Sequence, residues 1–523
     1  MTAFDRARSL LVVRARIKSG EGRSNQIRQA LPGMKLPGQA APAWRELGPE
    51  ADDEGTRAAI DELDAGLADV VRYSGSGRDG REKTGWVAHR YRLTDEAKAA
   101  LGLPEWWFVE REGGRSLQMP SWGAVDVIFF PLEVAFLVIH LDWTSGKGAV
   151  DSVEGICKGL DEARHLTIAN GGRIRVDTVS VGQKAPPAAV EKANEGARAR
   201  AAALRSLGLA MTASNEFDLS AVTRLLLGER PGGPTEAGEI EFLSHYAFCV
   251  SAVHLAAPVE PAYRRQLAFC LRRGYDPDRY PVGPEDRPDE VFWPRAGRNI
   301  GVAREGVASL GDPEDWVEFP NRFATVYSRL ALHALAERAS LSTLSRRISA
   351  IAHANWEGAD AEANLRKGAR EATRYTLTMV MEDPGGLTDH AHFFRSAREA
   401  LGTPEQLEEV REEIRELLST VGADADRQRA DETHVRDERE RTFQRRISKV
   451  GAYASVGAVA TGVLGMNAAD YLGTLAAFLD VPATVLAPAL VFLVTGLGGL
   501  FVQRRLTAGL EAERTALNAP SDP

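Results

Sequence analysis

The stretch that decides the predicted fold reads VGAYASVGAVATGVLGMNAA, from Val450 to Ala469. It contains no charged residue and is bounded by Lys449 and Asp470. A second uncharged run extends from Val481 to Gln503. Each run has about the 20 residues that a helix needs to cross the hydrocarbon core of a bilayer. The pattern therefore predicts two membrane-spanning helices near the C-terminus. The alternative is a buried helical hairpin in a protein without a membrane domain.

Charges around the two runs predict their orientation. The connection between the runs carries only Asp470 and Asp480, whereas basic residues stand at the outer ends of the pair. These basic residues are Arg441, Arg445, Arg446, Lys449, Arg504 and Arg505. Because positive residues stay on the cytoplasmic side, we expect a multi-pass protein of a bacterial-type inner (plasma) membrane with both termini in the cytoplasm. The chain opens with Met1-Thr-Ala-Phe-Asp-Arg, which has no apolar stretch, so no cleaved secretory peptide is expected.

A stripe of small residues follows one face of the first predicted span. Its members recur at three- and four-residue spacing, which places them on one side of a helix. They are Ser448, Gly451, Ser455, Ala458, Gly462 and Gly465. Small residues allow two helices to approach closely in lipid, and in a ring of identical helices the same face could line a narrow pore. The sequence leaves both interpretations open.

Gly465-Met466-Asn467 lies near the end of the first run, a short loop follows, and the second run stops at Arg504-Arg505. In this order the C-terminal part of the chain resembles the CorA-type two-transmembrane divalent-cation transporters. The resemblance implies a homopentamer that passively conducts hydrated Mg²⁺ or a related divalent cation, which could also regulate the assembly. Gly465, Met466 and Asn467 would form the selectivity motif, with Asn467 contacting the ion through its hydration shell, since Mg²⁺ gives up its waters reluctantly. The first helix would line the path, and Asp470 would be the acid of the external loop.

Three features depart from that family. Leu464 stands where members carry an aromatic residue, the acid near the motif appears only at Asp470, and the stripe is small where members have bulky apolar rings. Together with the large N-terminal part of the chain, these departures support an alternative function, a pore-forming stress or defence effector gated by a large cytoplasmic sensor domain. A zinc-transporter-like relative and a non-conducting membrane scaffold are further alternatives.

A long helix is predicted ahead of the membrane. Thr403 suits the N-cap, Pro404 the first helical position and Gln406 the capping box. An apolar seam at three- and four-residue spacing follows, made of Leu407, Val410, Ile414, Leu417 and Val421. We therefore expect one stalk helix from Pro404 to about Leu464, roughly 90 Å long at 1.5 Å per residue. Its charged part is interpreted as a solvated or partner-facing surface, with a cation-attracting funnel wall as the alternative.

The predicted fold class is an α/β cytoplasmic domain, a long stalk helix and two C-terminal transmembrane helices in a CorA-like funnel. The cytoplasmic α/β domain covers residues 1–320, the helical region 321–446, the pore domain 447–505 and the cytoplasmic tail 506–523. Alternating patterns predict strands at Val13–Ile17, Val125–Phe130, Val134–Leu141, Arg173–Val181 and Ala247–Leu255. Helical patterns occur around Ile60, Leu63, Leu67 and Val70, and over Phe323–Arg347 and Ala361–Met381. Loops are predicted at Lys18–Pro42, Ser74–Gly85, Arg230–Gly238 and Gly274–Pro288.

Catalytic patterns are absent from the sequence, so we expect a protein that is not an enzyme. The three cysteines, Cys157, Cys249 and Cys270, lack the paired spacing of a zinc site. Ser145-Gly146-Lys147-Gly148 is interpreted as an ordinary turn, Asp389-His390-Ala391-His392 as a surface turn, and Glu105-Trp106-Trp107-Phe108 as core or interface. The net charge of −9 argues against nucleic acid as a partner. Membrane lipid and further copies of the chain are the expected partners.

Overall fold

The computed structural model describes residues 2–18, 23–36, 39–47, 88–103, 106–108, 121–143, 150–170, 174–176, 187–213, 215–229, 233–281, 291–292, 297–354, 361–380, 388–416 and 433–448, together with the single residues 54, 57, 60, 419, 430, 451 and 504. By its contacts the chain divides into two compact units, Met1–Val421 and Gly422–Pro523. The strands and apolar cores of the described residues all belong to the first unit.

Two sheets make up the β structure of the first unit. The described strands are β1 (Phe4–Ile17), β2 (Trp44–Leu47), β3 (His89–Leu93), β4 (Trp106–Phe108), β5 (Ser121–Phe129), β6 (Val134–Asp142), β7 (Ile174–Val176), β8 (Glu216–Phe217), β9 (Ile240–Phe242), β10 (Phe248–Leu255), β11 (Val291–Phe292), β12 (Arg298–Val302) and β13 (Gly306–Gly311). Ten of them form a mixed sheet in the order β11–β12–β13–β10–β1–β6–β5–β3–β2, with β9 also paired to β1. Only β10 and β13 run parallel among these described pairs. The small second sheet has the order β4–β7–β8.

Helices cover both faces of the large sheet. They are α1 (Arg23–Ala30), α2 (Asp95–Leu101), α3 (Val153–Ala163), α4 (Pro187–Ser206), α5 (Leu219–Leu226), α6 (Pro261–Arg273), α7 (Phe319–Arg322), α8 (Ser328–Ala354), α9 (Ala361–Met379) and α10 (Thr388–Leu401). A π-helical turn, Phe323–Tyr327, joins α7 to α8. Two short 3₁₀ turns lie at Leu31–Gly33 and Ile168–Asn170.

Strand β1 is central because it is apolar on both faces along its middle. Leu11 pairs with Cys249 of β10 on one side and with Ile139 of β6 on the other. Since successive strand residues point to opposite faces, Leu11 and its odd-numbered neighbours enter one core, while Leu10 and Val12 enter another. The alternation predicted for Val13–Ile17 is therefore confirmed, but it is only the end of a longer strand whose middle is buried on both faces.

Three apolar cores hold the layers together. The first core joins one face of the sheet to α1, α2, α3, α5 and α6. The second joins the other face to α7, the π-helical turn, α8 and α10. The third lies among helices. It joins Leu341 and Leu344 of α8 to Tyr375 of α9 and to the helical residues 403–416, which contribute Leu407 and Val410. The first unit is therefore a sheet between two helical layers, extended by a helical cluster.

The structure contradicts the predicted fold class. Among the helices of the described residues, none combines the length and the apolarity that crossing a bilayer requires. The longest of these helices, α8, has 27 residues but carries charged side chains such as Arg329, Glu337 and Arg347 along its length. Placing such charges in hydrocarbon is costly. Instead of a stalk and two membrane helices, the described residues form a large mixed sheet with helices on both faces.

Two further interpretations are wrong for the same reason. The description of the chain as a membrane transporter and its multi-pass location in the plasma membrane both required membrane-spanning helices, and the described helices include none. The two uncharged runs, Val450–Ala469 and Val481–Gln503, lie outside the described residues apart from Gly451.

Several local predictions within the first unit are confirmed. The predicted hairpin is present as β5 and β6, an antiparallel pair. The strand predicted at Ala247–Leu255 is β10, and the one predicted at Arg173–Val181 is described as β7. The helical pattern over Phe323–Arg347 corresponds to the π-helical turn and α8, and that over Ala361–Met381 to α9.

Other local predictions are wrong or untested. The loop predicted at Lys18–Pro42 contains α1, whose Ile27 is buried in the first core. Residues 403–416 and 433–448 are helical, and Thr403, expected to cap this helix, is already helical. The rest of the predicted stalk, the loop Ser74–Gly85 and most of the helix predicted around Ile60 lie outside the described residues.

Candidate functional site

The described part of the first unit contains a cavity of about 500 Å³ beside the second core. Its floor is the sheet face formed by β1, β3, β5 and β6, and its roof is the helical segment of residues 321–332. Four arginines line it, namely Arg8, Arg90, Arg92 and Arg329. We call it the arginine cavity. The same face of the sheet is apolar under α8 and polar at the cavity. The strands carry apolar residues under α8 and charged residues closer to one end.

Strand pairing brings the central charges together. Arg90 and Arg92 are two residues apart on β3 and therefore project from the same face. The register places Arg92 opposite Asp126 of β5, and Arg90 opposite Ile128. Arg90 donates from Nε and Nη2 to Oδ2 of Asp126 at 3.0 and 2.6 Å. Arg92 donates from Nε to Oδ1 at 2.7 Å and from Nη2 to Oδ2 at 3.0 Å. One carboxylate thus holds two guanidinium groups in fixed orientations.

Asp126 is ionised although only 1% of its side chain is exposed. Burial by itself would raise the pKa of this carboxyl, but the charge of Arg90 and the hydrogen bonds from His140 and Arg92 hold it well below its ordinary value. An ionised carboxylate only accepts hydrogen bonds. The proton in the contact of 2.9 Å between Asp126 Oδ2 and His140 therefore lies on Nε2 of the histidine.

His140 is neutral at pH 7. Burial lowers its pKa below 6.5, and this effect exceeds the opposing influence of Asp126. The ring lies on β6, where His140 pairs with Leu10 of β1, so both residues face the arginine cavity. Its side chain is 28% exposed. A neutral imidazole leaves the cavity with the positive charge of its arginines alone.

The cavity carries an excess of positive charge. Among the described lining residues, Asp126 is the only carboxylate, against four arginines. Arg8 of β1 donates from Nε to Oδ1 of Asn321 at 3.0 Å, which ties the strand to the roof. Arg329, in the first turn of α8, is only 5% exposed. Guanidinium groups in such a partly buried site attract anions more strongly than exposed ones, since water screens them less.

The roof contributes neutral polar groups from an irregular helix. Thr325 and Ser328, both in or beside the π-helical turn, line the cavity. Their hydroxyls donate to backbone carbonyls within the helix, Thr325 to Asn321 O at 3.1 Å and Ser328 to Ala324 O at 2.6 Å. Each hydroxyl oxygen can still accept a hydrogen bond. Turns of π-helix occur frequently at functional sites, and this one faces the arginines.

These residues were not predicted from the sequence, although it contains a signal for strand β3 and another for Asp126. His89-Arg-Tyr-Arg-Leu93 alternates polar and apolar residues, as a strand does, and Asp126 interrupts an otherwise apolar β-rich run. A charge inside such a run requires a partner. The identity of that partner was hidden, because the arginines lie more than thirty residues earlier in the chain.

The residues predicted from the C-terminal pattern are described by the structure only in part. Arg445, Arg446, Ser448, Gly451 and Arg504 are described, and each is exposed. The others lie outside the described residues, namely Lys449, Ser455, Ala458, Gly462, Gly465, Met466, Asn467, Asp470 and Arg505. The structure therefore brings none of the described members into the arginine cavity.

The histidine pair predicted as a surface turn is placed differently. His390 lies in α10, is 1% exposed and packs its ring edge-on against Tyr327, with 5.0 Å between centroids. The interpretation as a surface turn is wrong, because the apolar neighbours Phe393 and Phe394 carry this helix into the second core. Within the described residues, no cluster of three His, Cys, Asp or Glu side chains could hold a metal ion. The three cysteines are free and buried.

Comparisons with known protein families, with curated proteins and with solved structures found no match for this chain. Fold and site therefore define its class on their own, a protein with a mixed, mainly antiparallel sheet between helical layers and a cationic cavity on that sheet. The resemblance to the CorA-type transporters, the pentamer, the transported or regulatory Mg²⁺ and the absence of enzyme activity stay predictions.

Proposed function

We propose that the first unit binds a small anion with carboxylate or phosphate groups in the arginine cavity. The observation that carries this proposal is the set of four arginines around a space of about 500 Å³ whose single described carboxylate, Asp126, is itself buried and shared. That volume lies in the range of small-molecule sites. Arginine recognises carboxylate and phosphate oxygens with a planar fork of donors, so either group suits the cavity.

Preorganisation supports the proposal. Asp126 holds Arg90 and Arg92 in place before any ligand arrives, so binding does not have to order those long side chains. Arg92 keeps 32% of its side chain exposed, so this side chain is accessible from solvent.

The experiment is a calorimetric titration of the full-length protein with inorganic phosphate, citrate and adenosine monophosphate. At least one should bind, and Arg92→Gln should weaken that binding about tenfold or more, the loss expected for a charge-assisted hydrogen bond. Arg411→Gln is the matched control, because Arg411 is 38% exposed and pairs with Glu408 on its own helix. Absence of binding at millimolar concentration, or equal effects of the two variants, would contradict the proposal.

Ligand binding is what a sensor domain requires, so the arginine cavity supports the sensor interpretation of the N-terminal part of the chain. It has no bearing on cation conduction. The proposed selectivity residues Gly465, Met466 and Asn467 lie outside the described residues, and their role stays a prediction.

A further inference from the structure

Three donors meet at one oxygen atom of Asp126. Arg90, Arg92 and His140 donate to Oδ2 of this carboxylate, at 2.6, 3.0 and 2.9 Å. The imidazole therefore lies beside the two guanidinium groups, and all three side chains line the arginine cavity. A ligand whose anionic group contacts Arg90 and Arg92 brings its next atoms close to His140.

His140 offers a hydrogen-bond acceptor to such a ligand. Its proton lies on Nε2 and is donated to Asp126, so Nδ1 carries a lone pair and no proton. None of the described residues donates to Nδ1, and this atom keeps solvent-accessible surface. If a ligand without a donor covers this acceptor, the acceptor loses its hydrogen bond to water, which is unfavourable.

The roof adds further acceptors. Thr325 and Ser328 line the cavity, and their hydroxyls donate to carbonyls of their own helix. Toward a ligand the two hydroxyl oxygens therefore act as acceptors. The cavity thus combines charged donors on β3 with neutral acceptors on β6 and in the roof. An ionised carboxylate or phosphate only accepts hydrogen bonds, so it matches the arginines and leaves these acceptors without a partner.

We infer that the ligand is a hydroxylated anion, either a hydroxycarboxylic acid or the phosphate ester of a polyol. This inference rests on the proposed anion-binding function and specifies the ligand class of the same site. The anionic group accepts hydrogen bonds from Arg90 and Arg92, and a hydroxyl close to it donates to Nδ1 of His140. An ammonium group also donates, but its charge meets four arginines and, among the described lining residues, one carboxylate. A neutral hydroxyl is therefore favoured.

The test is a calorimetric titration of the full-length protein with malate, succinate and aspartate. These dicarboxylates share one carbon chain and differ in a single substituent, which is a hydroxyl, a hydrogen atom or an ammonium group. We expect malate to bind about fivefold more tightly than succinate, the gain of one neutral hydrogen bond, and aspartate to bind most weakly. Glycerol 3-phosphate and propyl phosphate form the corresponding phosphate pair. The tighter of the two hydroxylated ligands identifies the anionic group.

Substitutions then locate the acceptor. His140→Phe keeps an aromatic ring without an acceptor, so it should remove the preference for malate and leave the affinity for succinate nearly unchanged. His140→Gln keeps an amide donor for Asp126 and an acceptor oxygen. It should retain part of the preference, which keeps the test decisive if His140→Phe lowers the stability of the fold. His89→Phe is the matched control, because His89 of β3 also contacts a carboxylate, that of Glu46, and is not among the lining residues.

The outcomes separate the two proposals. Equal affinities with and without the hydroxyl, both weakened by Arg92→Gln, would overturn the hydroxylated ligand and leave the anion site standing. Equal losses of malate and succinate affinity in His140→Phe would also overturn it, since a purely structural role of the histidine gives that result. Binding of an anion of the first panel without binding of malate or glycerol 3-phosphate has the same meaning. If no anion of either panel binds, both proposals fail.

Discussion

Asp126 connects the stability of the sheet with the charge of the arginine cavity. Its carboxylate lies on a central strand, is almost fully buried and receives hydrogen bonds from two arginines and a histidine. Removing water from such a cluster is costly, and the ion pairs offset that cost only while all partners are present. The cluster is therefore sensitive to the loss of one member, and its one negative charge limits how strongly the cavity attracts anions.

Asp126→Asn tests this dependence. Without the carboxylate charge, Arg90 and Arg92 repel each other in a partly buried site, and the free energy of unfolding should fall by about 3–5 kcal/mol. Phosphate should restore part of the loss, since an added anion replaces the missing charge. Urea denaturation with and without phosphate measures both effects. Asp95→Asn is the control, because the Asp95 side chain is 90% exposed; an equally small change in both variants would show that the cluster is not a buried ion pair.

His140 predicts a dependence of stability on pH. Its pKa in the folded protein is lowered from 6.5, so the unfolded chain binds a proton at a pH where the folded protein does not. The stability that the neutral ring contributes is therefore fully present above about pH 6.5 and is lost as the pH falls through the lower pKa of the folded state.

His140→Gln should remove that part of the pH dependence. The difference in unfolding free energy between wild type and variant should shrink as the pH is lowered from about 7 to about 5. Denaturation curves at several pH values provide the measurement. His434→Gln serves as the control, since the His434 side chain is 74% exposed. Parallel profiles for wild type and His140→Gln would refute the assignment.

Strands and helices differ in how much of them local sequence predicts. The hairpin of β5 and β6 follows from two β-branched runs around Pro131. The structure begins the first strand four residues earlier and ends it one residue earlier than predicted, and it extends the second strand by one residue. Its turn places Leu132 and Glu133 at φ values of 60° and 65°, where glycine is usual. Strand β3 was missed because its arginines, which face a cavity, look like residues facing solvent. Their partner Asp126 is identified only when the register is known.

Helix α6 ends in a glycine that is constrained by both conformation and space. Gly274 has φ +63°, and its backbone N–H donates to Cys270 O. A Cβ at this position would lie 2.9 Å from Cys249 Sγ and 3.3 Å from Arg164 Cδ. The cap therefore depends on the absence of a side chain, which allows β10 and α3 to pack against the end of the helix.

Gly274→Ala should destabilise the protein more than Gly238→Ala does. Both glycines have positive φ, so both substitutions carry about 1–2 kcal/mol of backbone strain. Nothing lies within 4 Å of a Cβ at Gly238, whereas at Gly274 overpacking adds about 1–3 kcal/mol. Thermal and chemical denaturation of the two variants give the comparison. Equal losses would mean that the surroundings of Gly274 move aside at little cost.

The division of the chain at Val421 could not be predicted from the sequence. The apolar seam from Leu407 to Val421 is followed directly by a charged stretch with the same helical pattern, so the sequence predicts one helix through both. In the structure Leu407 and Val410 pack into the third core, against Tyr375 and Leu344. Tertiary contacts decide where a domain ends. Helical periodicity is the same on both sides of this boundary, so it cannot indicate the boundary.

Residues 1–421 should therefore fold without the second unit. The three cores lie entirely within this range. The shortened protein should therefore unfold cooperatively at a temperature close to that of the full chain. It should also bind anions in the arginine cavity with the same affinity and the same dependence on Arg92. Calorimetry and circular dichroism test the first point, and titration tests the second.

A chain ending at Ala400 is the matched control. It lacks Leu407 and Val410, which are 4% and 2% exposed, and each lost side chain removes about 1.5–3 kcal/mol of burial. If the 421-residue chain aggregates, or if the shorter chain is equally stable, the third core does not close the first unit.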